Sequence, residues 1–486
     1  MSVLQILALT GLAVFLGLLR RGRNLALVGF GALVIYWIQP SSPVFPSLTF
    51  WLPTLTLFIT VLAWAITAPP EARGLRENWP ALVVLCGAIL LVAFSKILPW
   101  TRDFFPASAS LVLVAGALAV FVGLAVGLSF IKTQSRLLLG VAALGILAIF
   151  IFLKSPGLSE RLLTFIGDWL HLVHAAVQLP HEPAFNIAWL GYSYIAFRLL
   201  HTLRDRQSGV LPAVGLAEYV NYAIFFPSFT AGPIDRLERF VKDLRAPLPL
   251  KNDDWLFAGQ RLAAGLFKKF FVADLLALVS ITDVLVGQAR SPGWLWFELC
   301  AYSFRIYFDF SGYTDIAIGI ARLMGIRLPE NFAAPFLKSN LTQFWSAWHM
   351  TLTQWFRAYF FNPFTRSLRT LRLRSGQASK LVLPTWLIIL LTQVGTMLLI
   401  GLWHGLTWNF ALWGLWHGLG LFLQNRWSEF LRLRFPDLGA GSASRAFFRA
   451  SGVLLTFAYF TLGLVFFALS TPQLSFAALM KLFGMS

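Results

Sequence analysis

Apolar runs about as long as a membrane is thick constrain this chain more than any other feature of its sequence. A helix that crosses a bilayer needs about 20 largely apolar residues. Runs that reach or approach this length fill the first third of the chain, at residues 3–19, 25–40, 48–68, 80–98, 108–131 and 137–153. Charged residues make up only 12% of the chain, about half of their share in soluble proteins. The sequence therefore predicts an all-α polytopic membrane protein.

Basic residues collect in the short loops between these runs, and the chain carries a net charge of +18. The loops at 20–23, 73–76 and 132–136 contain arginine or lysine, whereas the loop at 41–47 has no charge. This alternation is typical of the positive-inside rule and predicts that the N-terminus lies outside. The lipid bilayer is then the partner of the basic loops, and no nucleic-acid partner is predicted.

The character of the sequence changes near Gly157, where apolar segments become shorter, are interrupted by proline and glycine, and carry charges. Broken helices at membrane depth are tolerated only where protein or a watery cavity surrounds them. We therefore predict an N-terminal transmembrane scaffold at 1–156, a core with the candidate chemistry at 157–440, and a C-terminal transmembrane helix and tail at 441–486. By length, we expect roughly 11 to 13 membrane helices, some of them broken or re-entrant.

His404 lies inside an apolar run, in the sequence Gly-Leu-Trp-His-Gly-Leu-Thr-Trp. Titratable side chains at membrane depth are costly, so such a histidine is a functional-site hypothesis by default. Gly405 is expected to let a backbone or a substrate approach closely. Trp403 and Trp408 are expected to shield the site from water. A buried imidazole stays neutral, which suits a general base.

Two further histidines are candidates for the same site. His417 repeats the Trp-His-Gly tripeptide, but on a continuous helix it would lie about 20 Å further along the axis. The two residues cannot serve one site unless the helix breaks, so His417 is secondary. His349 lies in an aromatic, moderately polar segment at 340–357. Two interpretations of His349 stay open: it joins two helices through a hydrogen bond, or it belongs to the site.

The remaining histidines have weaker claims. His171 and His174 have the i, i+3 spacing of a metal site, but apart from Glu182 no further ligand clusters with them. A metal site needs more ligands than this, so we predict no metal and place these two and His181 at a solvated interface. His201 lies in a basic stretch and is expected to reach toward water.

Arg305 and Asp309 are four residues apart in an aromatic segment that also contains Asp315. Their spacing places them on one helical face, so we expect them to form an ion pair that neutralises both charges. Asp315 projects to another face, which argues against chemistry by paired carboxylates. The sequence also contains no phosphate-binding loop and no nucleophile elbow. A histidine base that acts on a hydroxyl group remains the simplest chemistry.

Five ordered motifs together resemble the membrane-bound O-acyltransferase family. They lie at residues 226–236, 307–319, 329–332, 344–350 and 401–405, within a region of resemblance that covers roughly residues 185–430. The resemblance is to the bacterial branch that includes D-alanyl transfer in teichoic acid synthesis and O-acetylation of alginate. It implies O-acyltransferase activity and a multi-helix fold around a central polar tunnel. It also implies that His404 is the general base, and that His349 orients the hydroxyl or stabilises charge at the carbonyl.

The same resemblance implies the substrates. An acyl thioester donor, either acyl-CoA or an acyl carrier protein, would enter from the cytoplasm with an acetyl or D-alanyl group. A glycopolymer or lipid-linked acceptor would present its hydroxyl from the other face, and no bound cofactor is expected. A periplasmic transfer partner is a further expectation. Relatives commonly carry basic residues just before the second histidine, His349, where this chain has Ser346 and Ala347. After this histidine they commonly have Arg-Asp, where this chain has Arg357 and Ala358. These departures leave open which donor the chain uses and whether a carrier protein docks on it.

The basic loop at 366–380 has two interpretations. It docks an acidic partner such as an acyl carrier protein, or it follows from membrane topology and anionic lipid, and we favour the second. Two other functions stay open for the chain. One is a transporter or channel in which Asp309, Asp315 and His404 relay protons, and the other is an export partner that keeps the fold without catalysis.

Overall fold

The computed structural model describes residues 1–19, 21–41, 47–96, 110–130, 135–155, 157–158, 161, 188–246, 250–289, 291–370, 383–436 and 441–485. These residues form helices joined by turns and irregular segments, and no strand occurs among them. They include six helices that are long and apolar enough to cross a membrane. The predicted all-α polytopic membrane fold is confirmed. The tunnel, the sidedness, the three-part division and the helix total stay predictions.

Helices form at all six positions predicted for the first third of the chain. Their bounds are Val3–Leu18, Arg23–Trp37, Leu48–Thr67, Leu75–Ala93, Leu111–Ser129 and Arg136–Lys154. The most apolar part of Leu48–Thr67 is 67% buried inside the protein, against 11% for that of Arg136–Lys154. The Leu48–Thr67 helix is therefore a central element of its unit, whereas the Arg136–Lys154 helix leaves most of its surface for lipid.

One compact unit comprises Met1–Leu262 and Asp315–Pro329. Beyond the six N-terminal helices it contains Tyr192–Gln207, Leu216–Ala223, Leu237–Arg245 and most of Asn252–Phe267. Arg198 is buried in this unit, where it donates hydrogen bonds to the carbonyl oxygens of Tyr222 and Ala223, each at 3.0 Å. Its guanidinium also donates to the Ser228 hydroxyl at 2.7 Å. These bonds compensate the burial of the charge.

His201 lies in this polar core, so the expectation that it reaches water is wrong. Its exposed fraction is only 1%, and its Nδ1 atom lies 3.0 Å from the Tyr222 hydroxyl. The tyrosine hydroxyl also donates to the backbone oxygen of Asp235 at 2.8 Å. His201 is three positions after Arg198 on the same helix, and this spacing puts both side chains on the inner face.

The other compact unit comprises Ala263–Thr314 and Glu330–Ser486. The helices that lie in it or begin in it are Asp274–Ala277, Asp283–Gln288, Pro292–Leu323, Leu341–Trp345, Met350–Phe356, Asn362–Thr370, Thr385–His404, Trp408–Arg434, Ser442–Gly463, Val465–Ala468 and Pro472–Leu482. Two segments, Lys268–Ala273 and Arg357–Phe361, have the wider turns of a π-helix. Such turns frequently occur at functional sites.

The Thr385–His404 and Trp408–Arg434 helices form a closely packed hairpin in this unit. A Cβ atom at Gly414 would lie 2.6 Å from the backbone oxygen of Met397, and one at Gly418 would lie 2.7 Å from the Cα atom of Val394. Only glycine fits at these contacts, because backbone atoms of the facing helix occupy the space. The glycines therefore fix the register of the hairpin that carries His404.

Asp309 pairs with Lys269 and not with Arg305, so the predicted Arg305–Asp309 ion pair is wrong. A Cβ atom at Gly312 would lie 2.8 Å from the Gly265 oxygen and 2.9 Å from the Lys269 nitrogen. The helix backbone therefore approaches the segment with Lys269 very closely, one turn from Asp309. This approach brings in a lysine 40 positions upstream, which helical spacing alone did not reveal.

Candidate functional site

His349 and His404 line one cavity of about 60 Å³ in the Ala263–Thr314 and Glu330–Ser486 unit. Its aromatic walls are Phe310, Trp345, Trp348, Trp413, Phe460 and Phe467. We call it the histidine cavity. Its lining is mainly aromatic and aliphatic. Since a cavity needs only about 10–15 Å³ to hold a water molecule, the space holds a few small groups.

His404 is the last residue of its helix, because the chain becomes extended at Gly405 and a new helix starts after Thr407. A Cβ atom at Gly405 would lie 2.7 Å from the ring of Phe410. The glycine therefore makes room for this ring, whose centroid lies 5.8 Å from that of the His404 imidazole. An aromatic side chain occupies the space that we expected a backbone or a substrate to use.

The two tryptophans beside His404 have different positions. Trp403 is buried, with its ring centroid 4.6 Å from that of His404 and 6.2 Å from that of His349. Trp408 is 78% exposed, so the expectation that it shields the site is wrong. It is the first residue of the new helix and faces outward there. Trp413 takes its place, with its ring centroid 5.5 Å from that of His404.

His349 has a left-handed backbone, with a φ of +42°, directly before the Met350–Phe356 helix. A non-glycine residue in this region stores strain of about 1–3 kcal/mol and needs support from its surroundings. Asn331 provides support: its backbone oxygen accepts from the Met350 N–H at 2.9 Å, and its side-chain oxygen accepts from the Thr351 hydroxyl at 2.6 Å. Asn331 belongs to one of the five motifs, yet sequence reasoning gave it no role.

His417 lies outside the histidine cavity, behind two of its walls. Its ring centroid is 5.0 Å from that of Trp345 and 4.8 Å from that of Trp413. The helix does break between His404 and His417, which was the one condition under which both could have served the same site. Even so, His417 does not contribute to the lining. It is fully buried among aromatic rings.

The other candidates divide between described and undescribed parts of the chain. His171, His174 and His181, and positions 371–380 of the basic loop, lie outside the described residues. Within the part of the chain that the structure describes, no three histidine, cysteine or acidic side chains are grouped to hold a metal.

The acidic residues of the proposed proton relay are engaged elsewhere. Asp315 pairs with Arg261 in one compact unit, and Asp309 pairs with Lys269 in the other. Neither carboxylate lines the histidine cavity. The relay interpretation therefore gains no support from these contacts.

Comparison with known proteins adds an independent observation. A family model described as MBOAT, membrane-bound O-acyltransferase family, matches residues 184–470, more than half of the chain and both cavity histidines. The chain is 30% identical over 54% of its length to a teichoic acid D-alanyltransferase of Streptococcus thermophilus. It is 32% identical over 49% of its length to a teichoic acid D-alanyltransferase of Bacillus subtilis. To a probable alginate O-acetylase of Pseudomonas fluorescens it is 31% identical over 67% of its length.

These alignments cover only part of the relatives. They span 65% of the Streptococcus protein and 58% of each of the other two, so the chain matches less than two thirds of each relative's length.

Proposed function

Because the chain belongs to the membrane-bound O-acyltransferase family, we propose that it is an enzyme of the cell membrane that moves an acyl group from a cytoplasmic thioester donor to a hydroxyl of an extracytoplasmic glycopolymer. His404 is the general base, and His349 is the second catalytic histidine. The named relatives modify teichoic acid and alginate. Both polymers are anionic, the first through phosphate and the second through carboxylate groups. The acyl group is accordingly of the D-alanyl or acetyl class.

The pair of histidines on one small aromatic cavity carries this proposal. His404 takes the proton of the acceptor hydroxyl while the hydroxyl oxygen attacks the thioester carbonyl carbon. The new C–O bond forms, the C–S bond breaks, and the departing thiolate receives the proton from the imidazolium. A positioned general base contributes about 10²–10⁴-fold to such a reaction. His349 orients the hydroxyl or stabilises the charge that develops on the carbonyl oxygen.

The aromatic walls serve the same chemistry. Thioesters also react with water, so a site that transfers the acyl group to a polymer must exclude water from the carbonyl. Phe310 packs edge-on against His349 at a centroid distance of 4.6 Å, and Phe467 packs against His404 at 4.8 Å. These rings leave room for the reacting groups and little else.

The donor is acyl-CoA or an acyl carrier protein. Arg366 and Arg369 are exposed on the Asn362–Thr370 helix and begin the basic loop. An acidic carrier protein would meet complementary charge there, which would raise its rate of encounter.

The test compares His404→Ala and His349→Ala with His417→Leu. His417 is a matched control because it shares the tripeptide of His404 but lies behind the cavity wall. Acyl transfer is measured with the purified full-length protein and as O-acyl groups on envelope polymers in cells. We expect the rate of acyl transfer by the first two variants to fall about 100-fold or more, and the control to remain active. Transfer at the wild-type rate in the His404→Ala variant would rule out the proposed base. If this variant kept its acylation but lost solute flux, the result would support a transporter.

A further inference from the structure

A second cavity in the same compact unit is not used by the proposed chemistry. Its volume is about 690 Å³, within the range of small-molecule sites. Four charged residues line it, namely Asp274, Asp283, Arg305 and Asp309. We call it the charged cavity.

The charged cavity adjoins the histidine cavity at Ile306, which lines both. Along the same helix, Arg305 faces the charged cavity and Phe310 faces the histidine cavity. A second segment repeats this arrangement, because Phe467 lines the histidine cavity and Ala468 lines the charged one. Two chain segments thus pass from one cavity to the other, and Ile306 is a shared wall.

The small size of the histidine cavity favours a neighbouring space for the rest of the acceptor. A volume of about 60 Å³ is less than a tenth of that of the charged cavity. It accommodates an acyl head and a hydroxyl group but not the body of a polymer unit. The larger cavity, one side chain away, is where such a body fits.

Among the lining residues that the structure describes, Arg305 is the one cation, beside three carboxylates. Asp309 is neutralised by Lys269, and Asp283 accepts a hydrogen bond from the Ser470 backbone N–H at 3.1 Å. Arg305 is half-buried, next in sequence to Ile306, and has no ion-pair partner within the described ranges. A guanidinium matches the geometry of phosphate and carboxylate groups.

We propose that the charged cavity recognises a hydroxylated, anionic unit of the acceptor. Arg305 binds its phosphate or carboxylate group, and the carboxylates of Asp274 and Asp283 accept hydrogen bonds from its hydroxyl groups. The reacting hydroxyl then passes Ile306 to reach His404. This assignment rests on the proposed function, and it adds Arg305 as a residue that determines specificity.

The experiment measures binding to the full-length protein in detergent by calorimetry. The probes are an oligomer of mannuronate, an oligomer of glycerol phosphate, a neutral maltooligosaccharide of equal length, and coenzyme A for the donor side. For Arg305→Gln we expect the affinity for at least one anionic oligomer to fall about 10- to 100-fold, as one charge-assisted contact implies. Arg305→Lys should keep part of this affinity. Binding of the neutral oligomer and coenzyme A should not change.

Two controls accompany the measurement. Arg445→Gln removes an exposed arginine outside the cavity and should leave every affinity unchanged. With the wild-type protein, higher salt should weaken binding of the anionic oligomer more than binding of the neutral one.

The results separate this inference from the proposed function. His404→Ala should bind all probes as the wild type does, because the binding readout does not depend on chemistry. Arg305-dependent binding without acyl transfer would reject the function and keep the recognition site. If no anionic oligomer binds, if Arg305→Gln changes no affinity, or if only coenzyme A binding falls, the assignment to the acceptor is overturned.

Discussion

The side-chain oxygen of Asn331 accepts hydrogen bonds from both the hydroxyl and the backbone N–H of Thr351, at 2.6 and 3.3 Å. The first N–H groups of a helix have no partner within the helix and need one from outside. Asn331 therefore caps the helix that begins directly after His349 and stabilises the left-handed backbone of that histidine. The position of an imidazole in the histidine cavity thus depends on a residue that does not line it.

Asn331→Ala should lower both stability and acyl transfer. The lost cap is worth about 0.5–2 kcal/mol, and His349 loses its support, so kcat should fall more than KM rises. Asn340→Ala is the matched control, since Asn340 caps the neighbouring Leu341–Trp345 helix through Gln343. It should cost similar stability and leave kcat nearly unchanged. Melting temperature and steady-state kinetics check both variants, and equal kcat values would refute the positioning role.

Gly405→Ala should reduce transfer through Phe410. The added methyl group would lie 2.7 Å from that ring, which packs beside His404, so the ring and the imidazole must shift. Gly116→Ala is the control because a Cβ atom there meets nothing within 4 Å. Inside a helix it should stabilise by about 0.5–1 kcal/mol. The kinetics and melting temperatures of both variants are compared, and full activity in Gly405→Ala would contradict the expectation.

Arg198→Met should strongly destabilise the protein without involving the histidine cavity. It leaves the carbonyl oxygens of Tyr222 and Ala223 buried without their donor, at a cost of about 1–3 kcal/mol for each unsatisfied group. Arg204→Met, an exposed position on the same helix, should have little effect. Thermal unfolding in detergent measures the difference. Equal melting temperatures would mean that the buried contacts contribute nothing.

Ile306→Phe should slow transfer to polymeric acceptors, because a larger side chain narrows the wall shared by the two cavities. Binding of the anionic oligomer in the charged cavity should persist, so the defect should appear in kcat. Ile306→Leu keeps the volume and should behave like the wild type. Transfer and calorimetric binding are measured side by side. An unaltered transfer rate in Ile306→Phe would show that the acceptor does not pass this residue.

The sequence predicts best what depends on local pattern. The N-terminal helices follow from apolar runs, because length and hydropathy decide whether a segment spans a membrane. The family follows from short ordered motifs, and the family match over residues 184–470 confirms it. The motifs also singled out His349 and His404, which the structure brings to one cavity. Their catalytic roles stay predictions.

The sequence does not reveal what depends on distant segments. The partner of Asp309 is set by a close helix approach at Gly312, which brings in Lys269 instead of the nearby Arg305. His201 has a basic neighbourhood in sequence but lies on the inner face of its helix. In both cases contacts between distant segments decide the outcome. A prediction from neighbouring residues alone cannot detect such contacts.

The unequal volumes of the two cavities separate two tasks of an acyl transfer enzyme. Under the proposed function, the histidine cavity of about 60 Å³ receives the reacting groups, and His349 and His404 would act on a hydroxyl whatever molecule carries it. Selection of the acceptor would then fall to the charged cavity, which contains Arg305. Under this division of labour, substitutions around Arg305 can exchange one polymer for another while the bond-making step stays intact. Redesign of the acceptor specificity can therefore begin at a position that leaves both histidines unchanged.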